Sequence, residues 1–80
     1  MSTANSNPFK VFVVEDDEWY SEFLKYSIEL IPEFEAEVFR SGKDVLAHLH
    51  EQPAVITLDF NLPDTDGMSL LRKIKSFNKD

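Results

Sequence analysis

Two groups of residues in this eighty-residue chain have the types and positions for chemistry. The first is Glu15-Asp16-Asp17, with Glu18 behind it, directly after the β-rich run FKVFVV of residues 9–14. The second is Asp59, with Asn61 two residues on, directly after the apolar run AVITL of residues 54–58. Each group has a plain structural explanation when taken alone. Acids in the first turn of a helix interact favourably with its dipole, by roughly 0.3–1 kcal/mol each. A buried strand also often ends in a polar residue. Together the two groups mean more, because both follow strands expected to be neighbours. Carboxylates converging on one crevice repel strongly unless a cation sits among them. Magnesium suits such a crevice: it takes one or two carboxylates, keeps several waters and leaves positions for phosphate oxygens.

The elements that must position these acids alternate along the chain. After the first strand, Tyr20, Phe23, Leu24, Ile28 and Ile31 follow the spacing of an amphipathic helix, which Pro32 ends. Residues 33–39 then alternate, with Phe34, Ala36 and Val38 on one side and Glu33, Glu35 and Glu37 on the other. That pattern predicts a strand with one wet face, near a sheet edge. Ser41 is placed to cap a short helix carrying Val45, Leu46 and Leu49, and Pro53 stops it. Residues 54–58 have no polar face and predict a strand buried on both sides. A loop rich in turn formers, Asp59–Asp66, leads to a last helix from Gly67 carrying Leu70, Leu71, Ile74 and Phe77. Three successive βα units predict an α/β fold, a parallel sheet covered by helices. In such sheets ligands bind outside the carboxyl ends of the strands. Those ends carry Glu15, Asp16, Asp17, Asp59 and Asn61, so the edge is acidic and wants a cation.

Composition narrows the class further. At 42% hydrophobic and 12% aromatic the chain has the make-up of a globular domain rather than a disordered one. Its longest apolar run is Val11–Val14, far short of a membrane span, and residues 1–7 lack the apolar segment of a secretory signal. Absence of cysteine excludes disulfides and thiol catalysis and suits a cytoplasmic setting. A formal charge of −7 argues against direct nucleic-acid binding by this chain. The acids concentrate early: residues 1–66 hold fourteen against four bases, whereas residues 67–80 hold four bases against one acid.

Several alternative sites fail on their residues. No glycine follows the first strand, so the dinucleotide fingerprint is absent, and no phosphate-binding GxxxxGK[ST] loop occurs. The loop from Asp59 opens like a calcium-binding EF-hand, but it has Pro63 at position five, Asp64 at six and Leu70 at twelve. His48 and His50, two apart on a predicted helix, are expected to point in different directions and not to bind metal. Phosphohydrolases that open with Asp-x-Asp, and nucleic-acid enzymes with a later Asp-x-Asp, lose their second carboxylate to Asn61.

Val13-Val14-Glu15-Asp16-Asp17, followed by the segment from Val55 to Gly67 (VITLDFNLPDTDG), closely resembles the receiver domain of bacterial two-component response regulators. The two stretches lie about 43 residues apart with the Ser41-Gly42 turn and a helix between them, and the likeness runs from Phe9 to about Ser76. It implies a flavodoxin-like, doubly wound sheet with strand order 2-1-3 at this end. It implies Asp59 as the phosphoacceptor, taking a phosphoryl group from a sensor histidine kinase or phosphotransfer protein. Glu15 and Asp16 match the acidic pair that holds Mg²⁺, and Asn61 matches the residue whose backbone carbonyl completes the metal shell. Pro63 and Gly67 match the residues that shape the loop into the third helix, Gly67 through a backbone conformation other residues resist. Asp17 is expected to cap the first helix.

The family's fold has five βα units, and this chain holds three. The switch Ser or Thr, the Lys and the switch aromatic of the later strands have no counterpart, and Lys73, Lys75 and Lys79 are misplaced to substitute. The expectation is therefore a flexible tail at residues 1–8 and the N-terminal part of a receiver at residues 9–80. That part is a cytoplasmic phosphorelay domain rather than an enzyme, with an output domain possible in a longer parent. The third strand should lie at an exposed edge open to self-association. Two other classes stand beside this reading: an unphosphorylated interaction module that keeps the fold, and a small Mg²⁺-dependent phosphohydrolase.

Overall fold

The computed structural model describes residues 9–59 and 62–77, Phe77 by its backbone alone. Strand β1 (Phe9–Val14) is followed by helix α1 (Glu18–Glu29), strand β2 (Phe34–Phe39), helix α2 (Gly42–Ala47) and a 3-10 turn (Leu49–Glu51). Strand β3 (Val55–Leu58) and helix α3 (Gly67–Phe77) complete the order. The three strands form one parallel sheet in the order β2-β1-β3. Val11 pairs with Ala36 on one side and Val55 on the other, and Val14 pairs with Phe39 and Leu58. This is the flavodoxin-like α/β arrangement expected of the sequence.

The core follows from the pleat of the central strand, whose successive side chains face opposite layers. Phe12 and Val14 pack with Phe39, Val45 of α2 and Leu70 of α3. The Phe12 and Phe39 rings meet edge to face with centroids 4.7 Å apart. Val11 and Val13 pack the other way, with Ala36, Val38 and the α1 residues Leu24 and Ile28. Residues Val11–Val14 are thus buried on both faces.

Strand β3 does not meet that expectation. Ile56 and Leu58 pack toward α2 and α3, but Val55 is 52% exposed and Thr57 faces outward. The physical reason is the position of α1, which packs on β2 and β1. A shallow apolar depression is left, lined by Phe9, Val11, Ile28, Phe34, Val55 and Thr57.

The two sheet edges are treated differently. On β2 the outward-facing Ala36 N–H donates to Glu29 Oε2 at 3.0 Å, and the Ala36 carbonyl accepts from Lys25 Nζ at 2.8 Å. Lys25 and Glu29 are themselves paired at 3.2 Å. The pair occupies the two hydrogen-bonding groups that Ala36, on an edge strand, would otherwise offer to another chain.

The histidines also depart from expectation. The α-helix ends at Ala47, and the chain tightens into the 3-10 turn, so His48 and His50 come side by side with ring centroids 6.3 Å apart. His48 Nδ1 lies 2.8 Å from the Asp44 carbonyl oxygen, and its ring packs on Phe39. Just beyond, Gln52 adopts a left-handed conformation at φ 58°, a position usually taken by glycine or asparagine.

Because Leu70 is fully buried at the meeting of β1, α2 and α3, Leu70→Ala should cost about 2–5 kcal/mol of stability, read as a lower denaturant midpoint. Val55→Thr, on the open face, should stay within about 0.5 kcal/mol of the parent chain.

Candidate functional site

Backbone pairing carries on for one residue beyond the strand ends. The Glu15 N–H donates to the Phe39 carbonyl at 2.9 Å, and the Asp59 N–H donates to the Val14 carbonyl at 3.0 Å. Glu15 and Asp59 are therefore placed by the sheet itself, side by side at its carboxyl end. Asp16 follows on the exposed rim. Carboxylate oxygens of Glu15, Asp16 and Asp59 lie within 4.8 Å of one another.

Asp17 turns away from this cluster. It is the N-cap of α1, its Oδ1 accepting the Tyr20 N–H at 2.9 Å, as a residue of its type does at a helix start. Its own N–H donates to Glu15 Oε2 at 3.2 Å. Partial burial pushes the Glu15 carboxyl above its ordinary value of 4.5, the Asp17 amide opposes this, and the charges of Asp59 and Asp16 add to the rise. Three acids crowd one crevice. The donors are all hard carboxylate oxygens, a set that fits a hard divalent cation.

Of the residues singled out in the sequence, Glu15, Asp16 and Asp59 come together, and Asn61 lies outside the described residues. Pro63 is exposed on the loop, and Gly67 is the first residue of α3, buried. Gly67 does not have the positive φ expected of it, because it enters α3 with helical geometry, as a buried residue. Two loop acids were overlooked. Asp66 caps α3, with Oδ1 accepting the Ser69 N–H at 2.8 Å, and its place just before an apolar-periodic run was the available signal. Asp64 reaches across to α2, accepting the Gly42 and Lys43 amides at 2.8 and 2.9 Å. No local pattern announces that contact.

A family model of the response regulator receiver domain matches residues 11–80. The chain belongs to this family. Among curated proteins, the receiver is 41% identical over 66 residues to protein-glutamate methylesterase/protein-glutamine glutaminase 3 of Rhodospirillum rubrum, covering 81% of this chain and 18% of that protein. It is 35% identical over 66 residues to the transcriptional regulatory protein FlgR of Helicobacter pylori, covering 82% and 17%. Among solved structures it resembles a response regulator receiver domain from Methylobacillus flagellatus, with TM-score 0.79, 30% identity, and 86% and 58% of the two chains covered. The receiver thus spans less than a fifth of the length of these two curated relatives. Among the described residues no helix is long and apolar enough to cross a membrane.

The raised Glu15 pKa has a defined sign in stability. The folded state holds the proton more tightly than the unfolded chain, so stability falls as pH rises from the ordinary Glu value through the raised one. In metal-free buffer Glu15→Gln should unfold at higher temperature than the parent at neutral pH. The advantage should shrink as pH drops toward 4.5, as followed by circular dichroism. An advantage that grows on acidification would contradict this assignment of Glu15.

Proposed function

We propose that this receiver is a Mg²⁺-dependent phosphoacceptor in a two-component phosphorelay, with Asp59 as the nucleophile. We also read residues 9–80 as the N-terminal part of a receiver. The observation that carries the reading is the convergence of Glu15, Asp16 and Asp59 from two neighbouring strand ends to within 4.8 Å. Bound Mg²⁺ would supply charge neutralisation, which a carboxylate attacking an anionic phosphoryl group needs. Glu15 and Asp16 would hold the cation with Asp59, and the family resemblance gives the Asn61 carbonyl as the group that would complete the set. An Asp59 oxygen attacks phosphorus in line, the P–N bond of a donor phosphohistidine breaks, and the leaving imidazole keeps the bond's electron pair. The product is an acyl phosphate on Asp59, a covalent carboxylate adduct.

The donor is read as a protein, a sensor histidine kinase or phosphotransfer protein, and this chain is read as cytoplasmic. Beside the acidic rim, α1 exposes Trp19, Tyr20, Phe23 and Tyr26, with Trp19 81% exposed. Aromatic side chains so displayed suit a protein contact better than a small phosphodonor. The curated relatives include both methylesterases and transcriptional regulators, and the role proposed for this chain is the acceptor rather than an enzyme acting on a separate substrate.

Intact-mass spectrometry after incubation with MgCl₂ and a kinase or acetyl phosphate tests the nucleophile. The parent chain should gain one phosphoryl group, and Asp59→Asn should gain none. Uptake by the variant at a similar rate would reassign the acceptor.

Self-association through β3 belongs to the same reading. Val55 and Thr57 are exposed, and β3 ends the strand order without the Lys25–Glu29 cover that β2 has. Sedimentation velocity at micromolar concentration should show association of the parent chain, and Thr57→Lys should shift it toward monomer. A parent that sediments as a sharp monomer would sink the idea.

A further inference from the structure

Asp64 lies on the loop between β3 and α3, outside the carboxylate cluster, and phosphoryl acceptance alone gives its side chain no task. Its Oδ1 accepts the Gly42 N–H at 2.8 Å, and its Oδ2 accepts the Lys43 N–H at 2.9 Å. These are the first two amides of α2, which have no acceptor inside the helix. The next amide, Asp44 N–H, goes to Ser41 Oγ at 3.1 Å, an ordinary local cap. A side chain 22 positions away in sequence thus completes the helix start.

Shape reinforces the contact. A Cβ on Gly42 would come within 2.6 Å of the Thr65 methyl group and 3.4 Å of Asp64 Oδ1, so glycine is what lets the loop lie this close. The two amides hold the Asp64 carboxyl below its usual range, and hydrogen bonds to an ionised group are stronger than neutral ones.

The loop carrying the acceptor is pinned at three places. Asp59 is tied to Val14 by its N–H, Asp64 is tied to α2, and Asp66 caps α3 through Ser69. Only residues 60–63 bridge the first two pins. Holding Asp64 therefore limits how far the Asp59 end of the loop can move, which pre-organises the carboxylate cluster for a cation.

We propose that Asp64 is a positioning residue that latches the acceptor loop to the start of α2, and that the latch and cation binding at Glu15, Asp16 and Asp59 favour each other. The proposal rests on the acceptor reading above. Coupling between two equilibria is reciprocal. Whatever strengthens the latch therefore tightens cation binding, and cation binding tightens the latch. Helix α2, which contributes nothing to the carboxylate cluster, thereby reports on its occupancy.

Amide hydrogen exchange resolved by nuclear magnetic resonance on the full chain, with and without saturating MgCl₂, reads this directly. Mg²⁺ should slow exchange at Gly42 and Lys43 by about fivefold or more, the lower end of typical coupling, and change Asp44 less. A second measurement is calorimetric Mg²⁺ affinity. Asp64→Ala should bind about fivefold or more weakly, Asp64→Asn should recover part of the loss through its remaining carbonyl, and Gly42→Ala added to Asp64→Ala should change little more. Unchanged Gly42 and Lys43 exchange, or parental affinity in Asp64→Ala, would overturn the latch while Asp59-dependent Mg²⁺ binding left the acceptor reading standing. A parent chain with no Mg²⁺ binding that depends on Asp59 would overturn both.

Discussion

A strand buried on both faces has every side chain committed to packing, and β1 meets that constraint from Val11 to Val14. Chemistry is therefore displaced to the first residues past its end. Parallel pairing on both sides then decides who the neighbours are. The Val14 carbonyl holds the Asp59 amide, and the Phe39 carbonyl holds the Glu15 amide. Two acids far apart in sequence are brought together by backbone hydrogen bonds, and the core beneath them makes the juxtaposition rigid.

That juxtaposition works against stability when no cation is bound. Burial and the neighbouring Asp59 and Asp16 charges all raise the Glu15 carboxyl, with only the Asp17 amide opposing. Such crowding persists because the sheet over-determines it. The local sequence also limits it: Asp17 commits its side chain to the α1 cap, so the third acid in the run stays out of the crevice. Asp64 and Asp66 are likewise committed to helix starts, and both have carboxyls held below the usual range by the amides they accept.

The sheet edges show the same economy applied unevenly. At β2, Lys25 and Glu29 of α1 take the outward carbonyl and amide of Ala36, as a neighbouring strand would. Helix α1 can do this because it lies over β2 and β1. The same placement leaves Val55 and Thr57 of β3 open. One helix position thus protects one edge and exposes the face beside the other.

Periodicity in the sequence determined the three βα units, because a 2-residue or 3.6-residue repeat of apolar side chains is a local property. It also determined Glu15, Asp16 and Asp59 as site candidates, since residues just past apolar strands in a parallel sheet must share its carboxyl edge. The caps at Asp17 and Ser41 were legible for a similar reason: a cap bonds amides two or three residues away. What depends on where whole elements sit was not legible. An all-apolar segment reads as buried on both faces, but only the offset of α1 shows that β3 has one open side. A helix-like run hides its change to 3-10 geometry, which put His48 and His50 side by side. Asp64 looked like one more polar loop residue until the fold laid its loop across α2, where Gly42 has no side chain to keep it away. Hydrogen-bonding capacity is written in residue type, but the partner that uses it is chosen by packing.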